Sequence, residues 1–270
     1  MRKDAIITSL QNAKVKFAVK LRERRAREHE KLMLVEGWDE LSLAQASGLK
    51  LQTLFFCADL LSHTQSRAVI EQARLAGAEV IETNQAVFEK MAYRENPDGL
   101  LGIAPAWRLG LDDLHLSANP LLVVAEAVEK PGNLGAILRS ADAAGVEAVI
   151  VCDPTTDVNN PNVIRASRGA RFTVPIAKAR GAETIAWLAG RGITLLAASP
   201  RGTRDYSQVN LTGPLAIVVG TEAEGLSPLW LEQATLRVRI PMRGQVNSLN
   251  VATATAVLLY EAVRQRQAKG

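Results

Sequence analysis

From Pro120 onward the chain alternates short apolar runs with helical patterns, and this alternation narrows the possible folds more than any other feature. Residues 121–124, 148–152, 173–176, 193–198, 215–219 and 236–240 read as strands. Between them, 133–144, 162–169, 183–190 and 228–233 read as helices, and 249–267 as a long closing helix. Strands that are apolar on both faces and separated by helices form a mostly parallel sheet covered on both sides. The fold class is therefore α/β. Such sheets build their ligand sites beyond the carboxyl ends of the strands.

The front of the chain has a different pattern. Residues 51–57 read as a strand, 66–76 as a helix and 79–82 as a short strand. Asn84 opens another helix, Asn96-Pro-Asp-Gly99 is a turn by its chemistry, and a strand follows around Gly102. Residues 107–119 show no sustained period and read as a linker. A length of 270 residues accommodates a smaller domain over 1–106 and a larger one over 120–270.

The net charge is only +4, but the cations are clustered. Lys14, Lys16, Lys20, Arg22, Arg24, Arg25, Arg27 and Lys31 face only Glu23, Glu28 and Glu30 in the same stretch. Phe17, Val19, Leu21, Leu32 and Leu34 give a partly helical apolar pattern beneath them. Such a face is either simply solvated or tracks a phosphate backbone. No apolar run reaches the roughly 20 residues of a membrane helix, and the first residues lack a signal-peptide core. Two isolated cysteines, Cys57 and Cys152, suggest a reducing compartment, the cytoplasm, and no metal spacing is present. His29, His63 and His115 all precede Pro120 and read as surface or structural residues.

Three segments place glycines and small polar groups at the end of apolar runs. In Ile217-Val-Val-Gly-Thr-Glu-Ala-Glu-Gly-Leu-Ser227, Gly220 allows a sharp turn after a buried strand, and Glu222 projects at the strand's carboxyl end. A plain strand-to-helix turn would look similar. Neither the dinucleotide pattern nor the phosphate-loop pattern occurs, which disfavours NAD and ATP. In Ile240-Pro-Met-Arg-Gly-Gln-Val-Asn-Ser-Leu-Asn-Val251, Ser248 is placed to cap the closing helix, with Asn250 in its first turn. In Asn133-Leu-Gly-Ala-Ile-Leu-Arg-Ser140, Arg139 sits on an otherwise apolar helix and calls for a partner.

In this order, Asn133…Arg139, Gly220-x-Glu222-x-x-Gly225-Leu226 and Asn247-Ser-Leu-Asn-Val251 resemble the three motifs of the SpoU (TrmH-like) RNA ribose 2′-O-methyltransferases of the SPOUT superfamily. Asn12-Ala-Lys-Val-Lys16 and Leu34-Val-Glu-Gly37 resemble that family's substrate-binding module. The resemblance spans nearly the whole chain.

The resemblance implies a SPOUT catalytic domain with a deep trefoil knot behind a smaller L30e-like RNA-binding domain. It implies S-adenosyl-L-methionine as cofactor, RNA (ribosomal RNA above transfer RNA) as partner, and a homodimer. By motif position, Ala198, Ser199, Val219, Gly220, Glu222, Gly225, Ile240, Met242, Ser248 and Leu249 would hold the cofactor. Arg139 would activate the hydroxyl, with Asn133, Glu222, Ser248 and Asn250 orienting the reacting groups. Since a guanidinium stays protonated in proteins, Arg139 would act through its charge. Lys14, Lys16, Lys20, Arg22, Arg24 and Arg25 would bind RNA, and Arg165, Arg168 and Arg171 would guide the target nucleotide.

Overall fold

The computed structural model describes residues 6–106, 109–154, 156–221 and 224–268. The chain divides into two compact units, residues 1–107 with 157–173, and residues 108–156 with 174–270.

The first unit begins with helices α1 (Ala13–Lys20) and α2 (Arg24–Glu30), followed by β1 (Leu32–Glu36) and α3 (Trp38–Ala46). Strand β2 (Thr53–Phe56), α4 (Ser66–Leu75), β3 (Glu79–Glu82), α5 (Gln85–Met91) and β4 (Leu100–Pro105) complete its main sheet. The strand order is β1-β4-β2-β3. β4 is antiparallel to both neighbours, while β2 and β3 run parallel. Leu32 and Leu34, which fit a helical pattern in the sequence, lie in β1. All five residues of that strand are buried, so their spacing reflects a strand covered on both faces rather than a helical stripe.

Leu34-Val-Glu-Gly37 has a structural use. Glu36 is buried and accepts the backbone N–H of Tyr93 at 2.5 Å and of Arg94 at 3.3 Å. Arg94 also reaches the buried Glu40 at 2.6 Å. Burial pushes both carboxyls above their ordinary range. Gly37 has φ +109°, and a Cβ there would come within 2.3 Å of Glu40 Oε2. This position needs glycine for both conformation and space.

The second unit contains β5 (Leu121–Glu126), α6 (Pro131–Ala143) and β6 (Ala148–Cys152). The chain then supplies α7 (Pro161–Ala166) to the first unit. It resumes the second unit with β7 (Ile176–Ala179), α8 (Gly181–Gly190), β8 (Thr194–Ala198), β9 (Arg204–Asp205), β10 (Leu215–Val219), α9 (Pro228–Gln233), β11 (Leu236–Arg239) and α10 (Val251–Gln267). The seven strands are ordered β7-β6-β5-β10-β8-β11-β9, and every neighbouring pair is parallel. β5, β6 and β10 are buried along their whole length, as expected of a sheet covered on both faces.

The strand expected at 173–176 begins only at Ile176, because Ala170–Phe172 forms a 3-10 turn that packs in the first unit. Within the stretch 107–119, Trp107 and Arg108 lie outside the described residues. Leu111–Asp113 forms a helical turn, and Leu111 and Leu114 are buried in the core of the second unit. No helix among the described residues is long and apolar enough to cross a membrane.

Candidate active site

Helix α6 starts at Pro131, whose missing N–H costs nothing at a first helical position. Leu134, Gly135, Ile137, Leu138 and Ala141 are buried. The exposed side carries Gly132, Arg139, Asp142 and Ala143, at helical spacing. The guanidinium of Arg139 therefore faces solvent, and among the described residues no ion pair involves it. The buried pairing that an arginine on an apolar helix would require does not arise, because the apolar residues occupy the other faces.

Strand β10 ends at Val219, and Gly220 follows. A Cβ on Gly220 would lie 2.2 Å from the carbonyl oxygen of Gly225, so the loop folds directly over this position. Thr221 and Gly225 exchange backbone hydrogen bonds of 3.0 and 3.1 Å, and Gly225 takes φ +75° to close the turn. Glu222 lies outside the described residues. The loop leaves through buried Leu226 and Ser227, whose N–H donates to Glu126 Oε2 at 2.9 Å. Glu126 is the last residue of β5 and only 8% exposed. It did not stand out in the sequence because it closes an apolar run as a single acid, with no spacing partner.

The segment between β11 and α10 carries half-buried Ile240 and Met242, then runs exposed from Arg243 to Asn250. Asn250, rather than Ser248, caps α10. Its Oδ1 accepts the N–H groups of Ala252 at 3.0 Å and Thr253 at 3.4 Å. Both residue types cap well, and the helix starts two residues later than the sequence suggested, at Val251, because Asn250 holds the first free N–H groups. Its Nδ2 donates to Asn133 Oδ1 at 3.1 Å, joining positions 117 residues apart. Two of the three sequence segments thus meet through this bond. Ser248 is exposed nearby in sequence.

On the other flank of β10, half-buried Ala198 ends β8 and half-buried Ser199 follows it. Ser199 N–H donates to Val238 O at 2.9 Å, and Thr203 N–H to Arg237 O at 3.2 Å, so the loop is stitched to β11. Ala198, Val219 and Glu126 therefore share the carboxyl edge of neighbouring strands. From β5 the chain goes outward through β6 and β7, then resumes at β8 on the far side of β10. That reversal is where parallel sheets open a crevice. Backbone groups at strand ends, half-buried apolar side chains and a solvent-facing cation suit an amphipathic ligand presented to a polyanion. The atoms nearest Gly220 across the turn are the peptide groups of Gly225 and Leu226. Among the described residues no group of three or more His, Cys, Asp or Glu is placed to hold a metal ion.

Residues 120–260 match the model of the SpoU rRNA methylase family. The chain belongs to this family. Residues 12–102 match the MRM3-like substrate binding domain. The chain is 36% identical over 206 residues to the 23S rRNA (guanosine-2′-O-)-methyltransferase RlmB of Vibrio vulnificus, covering 74% of this chain and 83% of that one. It is 32% identical to an uncharacterised tRNA/rRNA methyltransferase of Synechocystis over 98% of this chain and 95% of the relative. Among solved structures it resembles an RNA 2′-O ribose methyltransferase with TM-score 0.86 and 40% identity, over 97% of this chain and all (100%) of the other. It also resembles an AdoMet-bound rRNA methyltransferase from Sinorhizobium meliloti, with TM-score 0.89 and 32% identity, over 96% and 97% of the two chains.

In the substrate-binding unit of this SpoU protein the basic residues are not equivalent. Lys14 pairs with Glu79, Lys20 with Glu30 and Arg24 with Glu28. Arg22 lies over the Tyr93 ring at 5.0 Å. Lys16 and Arg25 are exposed, and among the described residues no ion pair involves them. Arg165 and Arg168 are also exposed. Arg171 is not available to guide a nucleotide: it is 2% exposed, donates to Asn159 Oδ1 at 3.2 Å, and burial lowers its pKa to about 10. Arg27 is likewise buried. It makes a 2.8 Å ion pair with Asp157 and donates to the carbonyls of Leu21 and Arg22, fixing the turn between α1 and α2.

Proposed function

We infer that this chain is a methyltransferase that uses S-adenosyl-L-methionine to methylate a ribose 2′-hydroxyl of ribosomal RNA. The observation that carries the inference is the 3.1 Å bond between Asn250 and Asn133. It ties the helix bearing Arg139 to the segment 240–250, at the carboxyl edge of a parallel sheet, in a chain of the SpoU family. The names of the relatives, 2′-O-methyltransferases of 23S rRNA and an AdoMet-bound rRNA enzyme, support the reaction and the cofactor.

S-adenosyl-L-methionine supplies, when bound, a methyl group on a sulfonium that an oxygen can displace in line. Ala198, Ser199, Val219, Gly220, Gly225, Ile240, Met242, Ser248 and Leu249 are the residues that would hold it, through backbone groups and apolar contact. Glu222 shares that role by its motif position. Arg139 is a cation on an exposed stripe. Its chemistry is to grip the phosphate next to the target ribose and to stabilise charge developing on the attacking oxygen. The hydroxyl proton leaves to phosphate or water. Asn250 does not take it, because its amide oxygen is committed to two helix N–H groups. Asn133 and Asn250 therefore act by holding positions.

The substrate-binding module would comprise residues 1–106 together with 157–173, and Lys16, Arg25, Arg165 and Arg168 are its best-presented cations. A trefoil knot is supported by membership of the SpoU family. A homodimer is supported by exposed Val246, Leu249 and Tyr260 on α10 and the segment before it. Free, buried Cys57 and Cys152 support a reducing, cytoplasmic setting.

The test is methyl transfer from tritiated cofactor to ribosomal RNA, followed by alkaline hydrolysis. Label in alkali-resistant dinucleotides is expected, because a 2′-O-methyl group removes the internal nucleophile. Label on mononucleotide bases, or no transfer to any RNA with cofactor bound, would overturn the reading.

A further inference from the structure

We propose that Glu126 is a positioning residue, and that its carboxylate holds the 220–227 loop in the shape that S-adenosyl-L-methionine requires. This rests on the methyltransferase reading above.

Strand β5 is Leu-Leu-Val-Val-Ala-Glu, five apolar residues closed by one acid, and all six are buried. β5 runs between β10 and β6, with Ala125 opposite Val219 and Glu126 opposite Cys152. Glu126 thus emerges one step past the end of β10, alongside Gly220. A carboxylate buried here needs a strong donor to offset its lost hydration. It finds one in Ser227 N–H at 2.9 Å, a charge-assisted bond across 101 residues of sequence.

That N–H lies where the loop ends. The other described hydrogen bonds of the loop are local: Thr221 with Gly225, Glu224 N–H to Thr221 Oγ1, and the Ser227 carbonyl accepting from Trp230 and Leu231 N–H at 3.2 Å in the first turn of α9. They fix the turn and its junction with α9 but do not join the loop to β5. Leu226 is buried, which supplies packing without orientation. The bond to Glu126 ties the loop's far end to the neighbouring strand, so the turn over Gly220 is clamped at both ends. The backbone after Glu126 supports this use. Ala127 takes φ +47°, a left-handed conformation costly for a residue with a Cβ, while its N–H reaches Cys152 O at 2.9 Å. The strand therefore stops abruptly, and Glu126 remains at the edge. Strain retained at a strand's carboxyl end belongs with a functional loop.

The experiment compares Glu126→Ala, Glu126→Gln and Ser227→Pro with the wild type. Ser227→Pro removes the donor N–H at a φ of −65° that proline accepts, and also removes the hydroxyl and sets the ring Cδ against the Glu126 carboxylate, a clash that the double variant with Glu126→Ala relieves. Cofactor Kd by calorimetry, KM for cofactor and for RNA, unfolding midpoint and amide exchange of the cofactor-free loop are measured. Glu126→Ala and Ser227→Pro are each expected to raise the cofactor Kd and KM at least tenfold, leave the RNA KM within twofold, and speed exchange at Gly225 and Leu226. Glu126→Gln, whose amide oxygen still accepts the bond, is expected to recover to within threefold of wild type. The double variant Glu126→Ala/Ser227→Pro should be no worse than either single one. Should Glu126→Ala fail to fold, Ser227→Pro and Glu126→Gln carry the same comparison. Unchanged cofactor affinity in the folded variants overturns the proposal while leaving the methyltransferase reading intact. Equal loss in Glu126→Gln and Glu126→Ala also overturns it, because the charge rather than the tether would then matter. A wild-type protein that does not bind the cofactor overturns the methyltransferase reading itself.

Discussion

At the scale of single residues, the site depends on one charge left in water and several groups taken out of it. Arg139 is exposed, so replacing it leaves no buried group without a partner, and its removal should act on rate rather than on stability. Arg139→Ala is expected to lower kcat by 10²-fold or more, a typical cost of losing an electrostatic stabiliser, with the unfolding midpoint unchanged. Arg139→Lys should retain measurable turnover if charge dominates. Equal loss in both variants would assign the role to the guanidinium fork. Cys152 is the opposite case. Burial pushes its thiol from 9.0 up to about 12, only partly offset by the Thr184 hydroxyl at 3.2 Å. The folded thiol stays protonated where the unfolded one ionises. Its contribution to stability is complete below pH 9 and declines as pH rises toward 12, by about 1.4 kcal/mol per unit. Urea unfolding at pH 8 to 10 should show this decline in the wild type and a shallower one in Cys152→Ala.

At the scale of elements, the start of α10 does two jobs with one side chain. The Oδ1 of Asn250 caps the helix, and its Nδ2 reaches α6 through Asn133. The two jobs can be separated. Asn250→Ala loses both and should cost about 1 kcal/mol of stability along with most activity. Asn250→Asp keeps a capping oxygen, and its negative charge suits the helix N-terminus. Its stability should stay within about 0.5 kcal/mol of wild type, while the lost donor to Asn133 should lower activity at least tenfold. Full activity in Asn250→Asp would show that the bridge is dispensable. Pro131 at the start of α6 and Gly145, with φ +67° just beyond its end, are sequence punctuation that the structure obeys. Ser248 and Asn250 are both good caps for α10, local sequence does not choose between them, and the fold selects Asn250.

At the scale of the whole molecule, the chain passes between its two units at residues 107–108, 156–157 and 173–174. The intervening segment 157–173 is anchored in the first unit by the buried Arg27–Asp157 pair. Arg27 thus left the basic surface that its sequence neighbours form, and Arg171 was likewise taken inside. Lys16 and Arg25 remain as exposed cations without an ion pair among the described residues. Lys16→Ala/Arg25→Ala should make the dependence of log RNA affinity on log salt shallower by about 1 to 2 units, with cofactor Kd unchanged. An unaltered slope would reduce that face to plain solvation.

The alternation of apolar runs with helical patterns was enough to determine the parallel sheet, since residues such as Leu215–Val219 can be satisfied only by burial on both faces. The ordered motifs were enough to locate the carboxyl-edge loops and the asparagine–arginine helix. Sequence could not show that Asn250 bonds Asn133, that Glu126 tethers Ser227, or that Arg27 and Arg171 are buried while Arg25 is not. Those outcomes depend on which residues meet across more than a hundred positions of chain, and on which cations the packing shields from water. Local composition carries neither quantity, and only the folded arrangement decides both.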